Sequence, residues 1–223
     1  MSMKSVLDVA REFEISPERV RQLIGSGSLT AVRVGGRWVI GDSEVVRQPE
    51  GRPWSEAASW GLLWGALGRP APWLSVKQLQ RVRLRLAEGV SVHVERLSAR
   101  AHPVSFRAHA AAMRRVGEDA RVVAGGVSAA PRVGADVVAL DVRDGYVRGA
   151  EMASIVSEYG LELASVREAN VRLRSIGDVW PFGEHESVAP ALVVALDLLE
   201  DSDARTRRAG QSLLRGALRG AAR

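Results

Sequence analysis

The chain has 223 residues, a formal net charge of +5 and no cysteine. This length is enough for a sizeable core and for two domains, one of them small. The absence of cysteine excludes a disulfide framework and a thiolate metal site. No apolar run reaches the length of a membrane span, and no signal-peptide core follows Lys4, so we expect a cytoplasmic protein that makes no membrane contact.

Two short helices are predicted at the start of the chain. The second begins at Ser16 and Pro17, because Ser16 suits the N-cap and Pro17 suits the first helical position, where no N–H is needed. Gly27 ends this helix. The apolar residues expected to pack the two helices against each other are Val6, Leu7, Val9, Ala10 and Phe13 in the first, and Val20, Leu23 and Ile24 in the second.

A β-hairpin is predicted directly after the second helix. Residues 29–34 and 37–40 are rich in β-branched residues, and Gly35-Gly36 between them is typical of a two-residue hairpin turn. Arg33 and Arg37 lie on either side of the turn. We expect such a hairpin to act as a wing beside a recognition helix.

These residues carry a resemblance to a known family. Residues 16–40, SPERVRQLIGSGSLTAVRVGGRWVI, resemble the winged helix-turn-helix of excisionase and MerR-type DNA-binding domains. The shared pattern is a Ser-Pro start, an arginine in the second helix, a glycine before a leucine, and a Val-Gly-Gly-Arg wing. The resemblance implies that Arg21 holds a phosphate and that Arg37 is the wing arginine. The alternative is an amphipathic helical pair used for protein contact.

We expect the second helix to read bases and the wing to contact phosphates. Arg19 and Gln22 are the candidates for base reading, and Arg21, Arg33 and Arg37 are the candidates for phosphate contact. Ser16 and Gly35, from the same motif, complete the candidate DNA-binding set. Because one short helix offers few base contacts, we expect double-stranded DNA to be bound by a homodimer or through tandem sites.

Composition divides the chain into three regions. Residues 1–48 form the predicted winged helix-turn-helix, and the Pro- and Gly-containing segment 49–53 follows it. Residues 49–100 are predicted as a helical connector, and residues 101–223 as a larger C-terminal α+β domain for dimerisation or partner binding. The elements expected beyond residue 53 are helices at 54–67, 75–87, 105–116, 151–159, 187–199 and 202–218, strands at 90–97, 121–124, 136–142 and 170–176, a glycine-rich turn into a short helix at 125–130, and a turn at Asp144-Gly145.

The search for catalytic chemistry is negative. Asp136 and Asp141 could suggest the paired carboxylates of a metal-dependent nucleotidyltransferase. Their separation of five residues, however, would place them on opposite faces of a strand. Neither a phosphate-binding P-loop nor a Gly-x-Ser-x-Gly elbow occurs. We therefore expect no enzyme activity, no metal site and no cofactor.

A second resemblance spans most of the chain. The order of a winged head, RPWSEAASWGLLWGAL, GGVSAA, DGYVRG, NVRLRSI and VAPALVVALDLLEDSDARTRRAGQSLL is similar to that of AbiEi-type antitoxins. That resemblance implies a regulator that binds its own promoter and opposes a cognate nucleotidyltransferase toxin. The sequence thus predicts an autoregulating, antitoxin-like DNA-binding regulator. The alternatives are an excisionase-like recombination accessory protein and an enzyme with a DNA-targeting head.

Overall fold

The computed structural model describes residues 3–12, 16–25, 31–34, 37–41 and 54–221. Contacts divide the chain into two units, residues 1–51 and residues 52–223. The first boundary that the sequence predicts, near residue 48, lies outside the described residues.

Short helices and short strands make up the described part of the first unit. Its three-stranded antiparallel sheet has the order β1-β3-β2. The sequence does not predict β1, because three residues are too few for a strand pattern; it is recognised only by its pairing with β3, in which Ser5 lies opposite Val39. The elements are β1 (Met3–Ser5), α1 (Val6–Glu12), α2 (Pro17–Gly25), β2 (Ala31–Val34) and β3 (Arg37–Gly41).

Helix α1 begins with a reciprocal cap. Ser5 Oγ accepts a hydrogen bond from the Asp8 N–H at 3.2 Å, and the Asp8 carboxylate accepts one from the Ser5 N–H at 2.9 Å. Val9 and Val20 are buried, as the apolar pattern predicts. Leu7, which we expected on the same face, is 56% exposed, so the buried stripe of α1 is narrower than the sequence suggests.

The second unit is a mixed α+β structure around a five-stranded sheet with the order β5-β6-β8-β4-β7. β6 and β8 pair in parallel at the centre, and the other pairs are antiparallel. The elements are α3 (Glu56–Ala66), α4 (Val76–Glu88), a 3₁₀ helix (Val90–Arg100), β4 (His102–Arg107), α5 (Ala110–Glu118), β5 (Val123–Ala124), α6 (Gly126–Ala129), a second 3₁₀ helix (Ala130–Val133), β6 (Arg143–Arg148), α7 (Gly149–Tyr159), β7 (Glu162–Leu163), β8 (Val171–Ile176), α8 (Ala191–Leu199) and α9 (Ala204–Ala221).

Alternation along the central strands gives the sheet two different faces. Tyr146 on β6 and Ile176 on β8 belong to a large core that includes α3 and the apolar helix α8. Val147 and Leu173 lie on the opposite face and pack with residues of α5 and α7 in a second core. The sheet is therefore covered by helices on both faces.

Trp60 on α3 joins the N-terminal part of this unit to the large core. Its ring makes edge contacts with Trp64, Tyr146 and Phe182, at centroid distances of 5.2, 5.6 and 5.3 Å. The expected helical connector at 49–100 therefore contributes, over its described residues, to the same core as the C-terminal region. Trp54, Trp60 and Trp64 are buried in this core.

The strand predicted at 90–97 is wrong, because these residues form a 3₁₀ helix. The sequence alternates over a short distance, but burial follows a helical spacing. Val90, His93, Leu97 and Arg100 are the buried positions, at separations of three and four residues. The sequence of this segment is therefore compatible with one buried side of a helix as well as with an alternating strand.

Three further expectations fail around β4 and β6. The helix predicted at 105–116 is a strand followed by a shorter helix, since residues 102–106 pair with β8. Residues 136–142 form no strand, and the strand begins at Arg143. The turn expected at Asp144-Gly145 lies inside that strand. In the first and third cases, long-range strand pairing overrides the local preference.

Asp119 connects the end of α5 to the end of α7. Arg121 Nε donates to Asp119 Oδ1 at 2.9 Å, and the Tyr159 hydroxyl donates to Oδ2 at 2.8 Å. Arg121 also donates to Glu158 at 2.7 Å. The hydrogen bonds from Arg121, which favour the ionised carboxylate, lower the pKa of Asp119 to about 2.

We predict that Asp119→Asn removes a stabilisation that depends on pH. Since the folded pKa lies below the unfolded value of about 3.9, the carboxylate stabilises the fold fully above about pH 4, and this contribution is lost as the pH falls through about 2. Urea unfolding at pH 7 is expected to show a loss of ~2 kcal/mol that shrinks at acid pH. A constant difference across the range would contradict this account. Glu118→Gln, an exposed neighbour, is the control.

Candidate functional site

The two residues predicted to read bases, Arg19 and Gln22, lie in α2. They are three positions apart, a spacing that places two residues on the same side of a helix. Their side chains lie outside the described part of the structure. Ser16 lies directly before α2, and its carbonyl oxygen accepts a hydrogen bond from the Val20 N–H at 3.2 Å. The helix thus begins at Pro17, as predicted.

Arg21 is the predicted phosphate-binding residue whose side chain is described. It is exposed, and its Nη1 donates to Glu18 Oε2 at 2.8 Å. An exposed pair one helical turn apart contributes only about 0–1 kcal/mol. A phosphate could therefore displace Glu18 from Arg21 at little cost.

The predicted hairpin corresponds to strands β2 and β3. Val34 lies opposite Arg37, and Arg33 lies opposite Trp38, so two residues separate the paired ends of the strands. Gly35 lies outside the described residues. Arg33 and Arg37 therefore lie at, or one residue from, the ends of the strands that flank the predicted turn, whereas Arg21 lies in α2.

The second unit contains a buried charge cluster that the sequence did not lead us to expect. Asp197 on α8 is 1% exposed. Its Oδ1 accepts hydrogen bonds from Arg100 Nη2 at 2.5 Å and from the Tyr146 hydroxyl at 2.5 Å, and its Oδ2 accepts one from the Gly126 N–H at 2.9 Å. One carboxylate therefore joins α8 to the first 3₁₀ helix, to β6 and to α6.

A second buried ion pair lies beside it. Arg174 Nη1 donates to Asp144 Oδ1, and Arg174 Nε lies 3.4 Å from Asp197 Oδ1. Arg100 also donates to Glu200 at 2.6 Å, at the edge of the cluster. The two buried arginines balance the two buried aspartates, so the core holds no net charge from these four groups.

The two aspartates differ in their electrostatic environment. Burial raises the pKa of Asp197, but Arg174 and Arg100, with the hydrogen bond from Tyr146, outweigh that effect and hold the pKa below its ordinary value. Burial raises the pKa of Asp144, against the attraction of Arg174, and repulsion from Asp197 adds to the rise. The cluster therefore favours the ionised form of Asp197 more strongly than that of Asp144.

Gly126 is required by this arrangement. Its φ of +41° is a conformation that L side chains rarely adopt, and an added Cβ would collide with Asp144 Oδ2. The glycine-rich turn before α6 thus lets the backbone approach both aspartates. Ser128, two residues on, accepts a hydrogen bond from the Asp144 N–H at 2.8 Å.

One signal in the sequence points to the cluster. Asp144 and Tyr146, and likewise Arg172 and Arg174, are two residues apart, so each pair lies on one face of a strand. The parallel register places Asp144 opposite Arg172 and Tyr146 opposite Arg174. From the sequence alone, however, the Asp144-Gly145 dipeptide predicts a turn instead of a strand, because Asp-Gly is common in turns.

The described residues hold no group of three or more His, Asp or Glu that could bind a metal ion. Asp136 and Asp141, the two carboxylates weighed as a metal pair from the sequence, are both exposed and lie outside any strand. Within the described parts of the chain, no helix has the length and apolar character needed to cross a membrane.

Comparisons with known proteins add no assignment. No family model matches the chain, and searches of curated proteins and of solved structures found no match. The resemblances to excisionase and MerR-type domains and to AbiEi-type antitoxins therefore stay predictions from the residues.

The charge cluster predicts unequal effects at the two carboxylates that Arg100 contacts. Asp197→Asn leaves the buried Arg100 without its buried carboxylate partner, so we expect a loss of about 3–5 kcal/mol in the free energy of unfolding. Glu200→Gln changes a carboxylate whose side chain is 34% exposed, and the expected loss is about 1 kcal/mol or less. Urea unfolding at pH 7 measures both. Equal losses for the two variants would show that the buried Asp197 stabilises the fold no more than the partly exposed Glu200 does.

Proposed function

We propose that this chain is a sequence-specific DNA-binding transcriptional regulator whose first unit is a winged helix-turn-helix. The observation that carries the proposal is the order of elements in that unit. Helices α1 and α2 are followed by the β2–β3 hairpin, and the sequence of residues 16–40 resembles the motif of excisionase and MerR-type domains. Turn chemistry, helix starts and arginine placement all agree with one architecture.

In this proposal, α2 lies in the major groove and the hairpin lies beside it. Arg19 and Gln22 contact base edges, since arginine and glutamine side chains can each make paired hydrogen bonds to a base. Arg21, Arg33 and Arg37 contact phosphates and set the position of the protein on the duplex. Arg21 exchanges its exposed partner Glu18 for a phosphate.

The same proposal requires more than one copy of the DNA-binding first unit. A good bidentate contact discriminates by about 1–3 kcal/mol, so one short helix gives little specificity. We propose a homodimer that binds two half-sites, about 34 Å or a multiple of that distance apart, on cytoplasmic DNA.

A gel-shift titration on the DNA upstream of the protein's own gene, against a scrambled duplex, tests this function. We expect preferential binding to the upstream region at both low and moderate salt. Salt should weaken binding to either duplex, because phosphate contacts release counterions. Equal affinity for both duplexes at both salt concentrations would overturn the proposal of a specific autoregulator.

Three variants separate the proposed roles within the head. Arg37→Ala should weaken binding to every sequence and reduce the salt slope by about 1. Gln22→Ala should relax the preference at particular bases instead. Glu18→Gln should strengthen binding to every sequence, because it removes a negative charge near phosphates and frees Arg21. Identical effects of Arg37→Ala and Gln22→Ala on all duplexes would contradict the division of roles.

We propose further that the second unit binds a protein partner, as in an antitoxin. The observation that favours this role over a recombination accessory protein is size. Residues 52–223 form a unit with its own two cores, which DNA bending by the head alone does not require. In this account the partner is the toxin encoded by a neighbouring gene.

Co-expression with the product of the neighbouring gene tests the antitoxin role. We expect the two proteins to purify as one complex and the regulator to relieve growth inhibition by its partner. Arg37→Ala, which alters the head alone, should retain both properties. Unrelieved growth inhibition, with no complex, would leave DNA binding as the proposed function and remove the antitoxin role.

A further inference from the structure

The second unit contains a cavity of about 350 Å³ beside the charge cluster. It is lined by the end of α5, by α6, by the segment that precedes β6 and by the start of β6. This volume is at the lower end of the range of about 300–1,000 Å³ that is usual for sites of small ligands. Ser128 on α6 and Asp144 on β6 are among its lining residues.

Three arginines line the cavity, and none has a carboxylate partner among the described residues. Arg114 on α5 and Arg132 on the second 3₁₀ helix are exposed. Arg143 donates only to backbone carbonyls, to Leu140 at 3.3 Å and to Val142 at 2.9 Å. Arg69, in contrast, forms an ion pair with Glu186. The three charges are therefore available to an anion.

The side chain of Arg143 is held in place before any ligand arrives. It lies against Gly117 of α5, where an added Cβ would come within 2.8 Å of Arg143 Nε. The two hydrogen bonds from its Nη1 to backbone carbonyl oxygens also restrain the guanidinium. A group that is already ordered loses little entropy when it binds, which favours affinity.

Acidic residues do not cancel this charge. Asp144 lines the cavity, but it is 3% exposed and paired with Arg174. Glu118 lines it as well and is exposed. Three arginines thus face one carboxylate that is not already neutralised, and the cavity has a net positive charge.

Apart from Ser128, the rest of the lining consists of glycine, alanine, proline, valine and leucine residues. Val122, Val127 and Leu173 contribute to the wall. Val138 and Leu140, in the segment before β6, also line it, although they are 69% and 80% exposed. A bound apolar group would cover part of these two side chains, and burying such surface is favourable.

We propose that this cavity binds a small organic anion that carries an apolar body. The anionic group contacts Arg143, with Arg114 and Arg132 at the rim, and the apolar body lies against the valine and leucine side chains. The inference concerns the second unit alone and is independent of DNA binding.

Isothermal titration of the full chain with phenyl phosphate tests this site. Phenyl phosphate combines the two required features, and inorganic phosphate and phenol each supply one of them. We expect phenyl phosphate to bind at one site, and to bind more tightly than inorganic phosphate or phenol. Absence of binding by phenyl phosphate, or equal affinity for inorganic phosphate, would overturn the proposal.

Two substitutions locate the binding. Arg143→Met removes the charge and keeps most of the side-chain stem, while Gly117→Ala displaces Arg143 and favours the helix around it. Each should weaken phenyl phosphate binding by about tenfold or more, as expected for loss of a charge-assisted hydrogen bond. Arg83→Met, an exposed arginine on α4, should leave the affinity unchanged.

Gly117→Ala keeps the proposal testable if Arg143→Met fails to fold. Unchanged affinity in a folded Gly117→Ala variant, or equal weakening by Arg83→Met, would place the anion elsewhere on the protein. DNA binding should be the same in all three variants in the absence of phenyl phosphate, which separates failure of this site from failure of the proposed function.

Discussion

The carboxylate of Asp197 is the interaction on which the second unit most depends. It receives hydrogen bonds from Arg100, Tyr146 and the backbone of Gly126, and these groups come from distant parts of the chain. A buried charge of this kind is tolerated only when its partners are complete. The positions of the first 3₁₀ helix, β6, α6 and α8 are therefore coupled through one side chain.

Elements with a local signal in the sequence could be predicted, whereas elements that depend on distant partners could not. Helices α3, α4, α7 and α9 lie close to their predicted bounds, because each has a periodic apolar pattern or a clear cap. Helix α8 begins at Ala191 rather than at residue 187. Ser75, for example, forms a full capping box with Gln78. Such signals are local, so they are readable from a short window of sequence.

Strands β4 and β6 have no such local signal. β6 contains Asp144 and Gly145, which favour a turn in isolation, but it pairs with β5 and β8, and Asp144 forms an ion pair with Arg174 on β8. Gly145 is needed because β5 approaches closely: an added Cβ would lie 2.8 Å from the Val123 carbonyl oxygen. Arg174, the β8 residue that pairs with Asp144, lies 30 residues further along the chain. A short window of sequence around β6 therefore does not contain it.

The candidate sites divide in the same way. The DNA-binding set is predicted from a contiguous motif, and the structure places Arg19, Arg21 and Gln22 in one helix, with Arg33 and Arg37 in the paired strands. The charge cluster and the cavity beside it are assembled from residues that are far apart in the chain. No contiguous motif marks them, and only the spacing of two between charged strand residues points toward a shared face.

Selection of bound duplexes from a random DNA pool, followed by sequencing, tests the central claim most directly, since it does not require the operator to be known. The account predicts enrichment of one short motif, present as two half-sites at a fixed spacing of one or more helical turns. Enriched pools that show no motif over the starting pool would contradict sequence-specific regulation by this chain.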